Sequence, residues 1–377
     1  MRVFGRCSVH DFLGDFIVYR NLDPVDPRLP GLDVVGPQVG LPVGLIPRKS
    51  EPAYAEVIAV FLQAARALEA PGSELVRLIY LGDTRLNDGT AFANIARAGN
   101  WPGLAVIVAE RDESAEVQVQ HQENRRLYLA NRWRALADLE GFCSEQGFPV
   151  DEATAVVIDL DKTTLGARGR NDRVIDEARV DAVRRTVGGL LGDDFDPPSF
   201  RAAYDRLNQQ EFHPFTADNQ DYLAYICLIL GAGLVDVDRL VARVQDGELS
   251  SFHDFIRQVD GRRGDLFPAL QEIHRDVYDR VRRGDPTPFK TFRRHEYRAT
   301  IERMGCMPDD APVAELLAGE ITVTQEVRDA ASRLRDRGAL LFALSDKPDE
   351  ASLPTDDLAA QGWQPIHRTS THAVGGA

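Results

Sequence analysis

The feature that most constrains this chain is a set of short apolar runs, each the length of one strand, set between amphipathic helical patterns. The runs are Leu75 to Leu81, Leu104 to Val108, Ala155 to Ile158 and Ala339 to Leu344, all rich in Val, Ile, Leu or Phe. Runs apolar on both faces suit strands buried on both sides of a parallel sheet. Helical patterns cover Ala53 to Leu68, the Arg125 to Phe142 stretch and Val323 to Arg335, the last stopping at Arg337-Gly338. This alternation predicts an α/β fold with a Rossmann-like, mostly parallel three-layer core.

From residue 166 to 320 the texture changes: helical patterns follow one another, at Val174 to Leu191, Ser199 to Leu207, Asn219 to Leu230, Val237 to Val244 and Leu266 to Val281, with no strand alternation between them. The pattern predicts a large all-helical domain inserted into the core, which then comprises residues 1 to 165 and 321 to 377. Six prolines between Asn21 and Pro47 predict loop or edge structure there.

With 377 residues, 44% of them hydrophobic, the chain can bury a sizeable core. A formal charge of -15 excludes a general nucleic-acid binder, which needs a basic surface. No apolar stretch reaches the roughly 20 residues needed to cross a bilayer, so no membrane partner is expected. The cysteines, at 7, 143, 227 and 306, form no close pair and suggest neither a zinc knuckle nor a disulfide framework. The expected compartment is cytoplasmic, because the first residues lack a basic segment leading into an apolar stretch.

Chemistry concentrates where apolar runs end. Val156-Val157-Ile158-Asp159-Leu160-Asp161-Lys162-Thr163 is a strand closing on two carboxylates one residue apart. Ligands of open parallel sheets sit beyond the carboxyl ends of the strands, and the spacing lets one acid attack while the other moves a proton. Leu78-Ile79-Tyr80-Leu81-Gly82-Asp83 continues to Asp88, Ala339 to Leu344 ends in Ser345, and Lys49 precedes the helical pattern from Ala53.

These four segments resemble the signature of the haloacid dehalogenase-like hydrolase superfamily. Asp159-Leu160-Asp161-Lys162-Thr163 is similar to its motif I, the strand ending in Ser345 to motif II, Lys49 to motif III, and Gly82-Asp83 through Asp88 to motif IV. The order along the chain is III, IV, I, II, as in a circular permutation of the superfamily core. Termini that meet at a surface make such a rearrangement tolerable.

The resemblance implies a magnesium-dependent phosphohydrolase acting on a small phosphorylated metabolite through an aspartyl-phosphate. Asp159 would be nucleophile, Asp161 acid and base, and Ser345 and Lys49 would hold the phosphoryl oxygens. Asp159, Asp83, Asp88 and the carbonyl of Asp161 would surround Mg2+, with Thr163 orienting the loop. The helical insertion falls where C1 cap domains do, and Arg168 and Arg170 would reach the substrate. Phe212-His213-Pro214 and Arg293-Arg294-His295 are further pocket candidates. The resemblance also admits a phosphotransferase or phosphomutase, or a non-catalytic interaction module. His10 and Cys143 lie in no recognisable nucleophile elbow.

Overall fold

A computed structural model describes residues 1 to 376, and the larger of its two units is built on a mixed seven-stranded sheet. The strands in chain order are β1 (Arg2–Cys7), β2 (Ile17–Val18), β3 (Arg77–Gly82), β4 (Gly103–Val108), β5 (Val117–Gln122), β6 (Arg125–Ala130), β7 (Thr154–Asp159), β8 (Val323–Thr324), β9 (Leu340–Leu344) and β10 (Thr371–Gly375). The main sheet runs β2-β9-β7-β3-β4-β6-β5, parallel except for the β5–β6 hairpin at one edge. A separate three-stranded sheet pairs β1 with β10 and β10 with β8. The expected α/β architecture with a Rossmann-like parallel core is therefore present.

The central strands are buried along their whole length, as their unbroken apolar sequences require: every residue of β7, β4 and β9 is buried. The helix Pro52–Glu69 covers one face. Proline at its first turn fits a helix start, and Tyr54, Val57, Ile58, Phe61, Leu62 and Ala65 form its buried stripe at helical spacing. It packs with Leu78, Tyr80, Ala155, Val157, Leu340 and Phe342 into one continuous core. Gly338, with φ near 94°, ends the turn after the helix Gln325–Asp336 and feeds β9.

One sequence expectation fails. Arg125 to Phe142 is not helical: β6 occupies Arg125–Ala130, a 3-10 segment covers Trp133–Asp138, and only Leu139–Glu145 is α-helix. The open edge of β4 takes up residues 125 to 130 in parallel register, and β5 closes the hairpin against them. Pairing with the sheet overrides a local pattern that either structure could satisfy.

Contacts divide the chain into two compact units: Met1–Glu177 with Thr300–Ala377, and Ala178–Ala299. The second is narrower than the 166 to 320 insertion read from the sequence, because its ends fall within the helices Asp172–Leu191 and Lys290–Ile301. It is all-helical, with Pro197–Leu207, Gln220–Gly231, Val237–Gln245, Phe252–Gly261 and Pro268–Arg282 among its elements. Among the described residues no helix is long and apolar enough to cross a membrane.

Phe342 is fully buried in β9 and stacks on Phe16 with ring centroids 6.4 Å apart. Phe342→Ala is expected to lower unfolding stability by about 3–5 kcal/mol, measured by urea titration. A loss below 1 kcal/mol would mean that the core between β9 and the helix Pro52–Glu69 is not packed as described.

Candidate active site

Three parallel strands deliver the acidic residues to one end of the sheet. Asp159 closes β7, Asp83 follows β3 and Ser345 follows β9, with β7 lying between the other two. Parallel register makes all three carboxyl ends coincide: Leu81 pairs with Ile158 and Asp159 with Leu344. One oxygen each of Asp83, Asp88 and Asp159 lies within 4.8 Å of the others, and all three residues are buried.

Lys49 ties this group together. Its Nζ donates to Asp159 Oδ1 at 2.6 Å and to Asp88 Oδ1 at 2.8 Å, with 6% of the side chain exposed. The residue sits three positions before the helix Pro52–Glu69, as its motif resemblance requires.

Asp88 is more anchor than open ligand. Its Oδ1 also accepts the Tyr80 hydroxyl, and its Oδ2 accepts the N–H groups of Asp83 and Thr84 and the Thr84 hydroxyl. These donors engage both oxygens, and Asp88 remains, with Asp83 and Asp159, one of three buried acids grouped closely enough to hold a metal ion. Burial opposes its ionisation, but Lys49 and the Thr84 N–H hold it well below the usual carboxylate range. Only glycine fits at position 82, where a Cβ would lie 2.6 Å from Asp88 Cβ.

Asp161 stands apart with its own partners. Ser345 Oγ donates to its Oδ2 at 2.7 Å and Lys347 Nζ lies 3.2 Å from its Oδ1. The Lys347 N–H donates to Ser345 Oγ, fixing the hydroxyl's direction. Lys347 is the group that sequence reasoning left without a role; its signal was a lysine two residues beyond the motif serine.

The loop after β7 is tightly wound. Leu160 O accepts both Thr164 and Leu165 N–H groups, and Lys162 adopts φ near 62°, in the left-handed region that non-glycine residues enter only under constraint. Lys162 Nζ reaches Asp176 at 2.8 Å. The hydroxyl that ties the loop is that of Thr164, which donates to Asp159 O at 2.8 Å. Thr163, expected to do this, has a buried Oγ1 with no hydrogen-bond partner; it contributes its carbonyl, which accepts from Thr324 Oγ1 at 2.6 Å.

The two arginines expected to meet substrate are both held in ion pairs. Arg168 Nε donates to Asp83 Oδ2. Arg170 is clamped by both oxygens of Glu326 at 2.9 Å and by Glu110, with 4% of its side chain exposed, so it is a structural ion pair and not a substrate group. Within the helical unit, Arg293 is consumed by Asp221 and Glu296, Phe212 is core, Arg294 and Pro214 are exposed, and His295 Nδ1 lies 2.7 Å from Thr186 Oγ1. Cys143 is an inert core thiol pushed up to about 11 by burial.

Comparison of the chain with protein-family models, curated proteins and solved structures finds no match.

The donor set suits a hard divalent cation. Burial first, then the Asp88 charge, pushes the Asp83 carboxyl up to about 7 against the pull of Arg168. Burial likewise raises Asp159 well above its ordinary value, with Lys49 opposing and Asp88 and Asp83 adding to the rise. Mutually repelling buried carboxylates of this kind, Asp83, Asp88 and Asp159, could hold a divalent cation through their oxygens.

A carboxyl whose folded pKa exceeds its unfolded value binds more protons when folded, so it makes stability fall as pH rises between the two values. For Asp83 that window runs from 3.8 to about 7. In chelator the melting temperature is expected to decline across this window, and Asp83→Asn to flatten the decline, as followed by calorimetry. Identical pH profiles for the two proteins would remove Asp83 from the coupled group.

Proposed function

We propose that the chain is a divalent-cation-dependent phosphate monoester hydrolase, with magnesium as the cation and a small phosphorylated molecule as the substrate. The observation that carries this reading is the division of labour between two neighbouring acids. Asp159 is buried against Lys49 and next to Asp83, whereas Asp161 is more exposed and held by Ser345 and Lys347. Acids so close together, with separate partners, can take separate chemical roles.

Asp159 attacks phosphorus as the bond to the leaving oxygen breaks, and Asp161 delivers a proton to that oxygen. Asp161 then removes a proton from water, which cleaves the aspartyl-phosphate and returns Asp159 as a free carboxylate. Lys49 balances charge at Asp159 before attack. In this reading Ser345 and Lys347 donate to the equatorial phosphoryl oxygens as they gather charge, and such preset donors supply most of the stabilisation in phosphoryl transfer. The bound cation would supply neutralisation of the phosphate through Asp83 and Asp159. The resemblance to haloacid dehalogenase-like hydrolases supports the same assignment, through segments that converge in space despite their permuted order.

With magnesium and a panel of small phosphate monoesters, the wild type is expected to release phosphate and Asp159→Asn to fall by at least about a thousandfold. Lys347→Ala is expected to retain Asp159 phosphorylation while slowing turnover by ten- to a hundredfold, as read by trapping the phosphoenzyme. Equal phosphate release by wild type and Asp159→Asn would end this reading.

A further inference from the structure

A concavity of the core unit lies in the proline-rich stretch before Lys49. It has a volume of about 340 Å³, within the range of small-molecule sites. Its walls are Leu32, Pro37, Leu41, Pro42, Leu45 and Ile46, and its polar lining is confined to Asn21, Asp23 and Asp33; no Lys, Arg or His contributes.

Both ends of this stretch connect directly to the candidate catalytic groups. Ile46 precedes Lys49 by three residues, at most about 10 Å of extended chain. At the other end Val18 pairs with Leu344, so the chain leaves β2 at the same sheet end where Ser345 follows β9. Arg20 then donates its N–H to Lys347 O and its guanidinium to Asp346 at 2.7 Å, and Asn21 is the next residue. The cavity therefore begins, at Asn21, one residue along the chain from Arg20, which is hydrogen-bonded to the two residues that follow Ser345.

Its chemistry is selective. Asp23 and Asp33, both exposed, converge on Gly31: a methyl built there would stand 2.9 Å from Asp33 Oδ1 and 3.1 Å from Asp23 Oδ1. Partial burial, with the Asp33 charge adding to it, raises the Asp23 carboxyl against the pull of the Leu32 N–H. Asn21 carries a buried Oδ1 with no hydrogen-bond partner. The cavity thus offers acceptors and negative charge above an apolar floor. Val43 and Leu45 on the flanking loop expose apolar surface, Val43 to 98%. A sugar would set its hydroxyls against leucine and proline, and a second phosphate or a carboxylate would face two acids; an apolar group carrying a cation meets neither penalty.

We propose that this cavity receives the organic part of the phosphate ester, an apolar skeleton bearing a protonated amine that the carboxylates of Asp23 and Asp33 hold. The assignment rests on the phosphatase reading above for its connection to phosphate, but not for the existence of the amine site.

Two esters of matched size test it: 4-(aminomethyl)benzyl phosphate and 4-carboxybenzyl phosphate. The wild type is expected to favour the first by at least tenfold in kcat/KM, and the Asp23→Asn/Asp33→Asn double variant, its fold checked by circular dichroism, to lose that preference. Binding of 4-(aminomethyl)benzyl alcohol, measured by calorimetry, is expected to weaken at least tenfold in the same variant. Equal ester ratios in the two proteins, or equal binding of the alcohol, would overturn the proposal. Binding that depends on the two acids without hydrolysis of either ester would overturn the phosphatase reading and leave the cavity as an amine site.

Discussion

The buried ammonium of Lys49, held between Asp88 and Asp159, is the interaction on which the rest of the sheet end depends. Three carboxylates within 4.8 Å repel one another, and burial denies them water, so they cannot share the space without a charge between them. Lys49 meets two of them at 2.8 and 2.6 Å. Removing one partner from a buried pair typically costs about 3–5 kcal/mol, since the other charge is left uncompensated. The helix that begins at Pro52 thus does more than cover the sheet: it presents the charge that lets β3 and β7 end in acids side by side.

The placement of those acids follows from parallel pairing alone. With β7 between β3 and β9 in matched register, any residue just past a strand end arrives at the same edge, whatever the order of the segments along the chain. Lys49, Asp83 and Asp88 come before Asp159, and Ser345 and Lys347 come almost two hundred residues after it. Sequence order is therefore free to change so long as strand neighbours do not, and the convergence of these distant segments needs no further device. The helical unit of Ala178–Ala299 is accommodated for the same reason, as an insertion between two strands whose pairing it does not interrupt.

This also explains what could be read in advance. Strand ends were legible because a doubly buried strand needs an unbroken apolar run, and a carboxylate closing such a run stands out, as Asp159 does. Lys49 was legible only as a position, and its partners required the fold. The edge hairpin escaped because Arg125 to Ala130 is short and opens on two arginines, while the alternation in β5, Val117, Val119 and His121, is exposed and so carries little hydrophobic signal. Arg170 looked like a phosphate group from its place after the acidic motif, yet Glu110 and Glu326, distant in sequence, claim it. The cavity at Asn21 to Ile46 was hidden for a further reason: proline and glycine announce a loop but not its shape.

The state of Asp83 links the loop after β7 to the proposed reaction. Its carboxylate is paired with Arg168, whose backbone is pinned because the Arg168 carbonyl accepts the Glu110 N–H at 3.0 Å and the Trp133 indole N–H at 3.1 Å. The side chain, one-third exposed, is the part with room to move. A divalent cation taking Asp83 competes with that guanidinium, so its apparent affinity contains the cost of displacing Arg168.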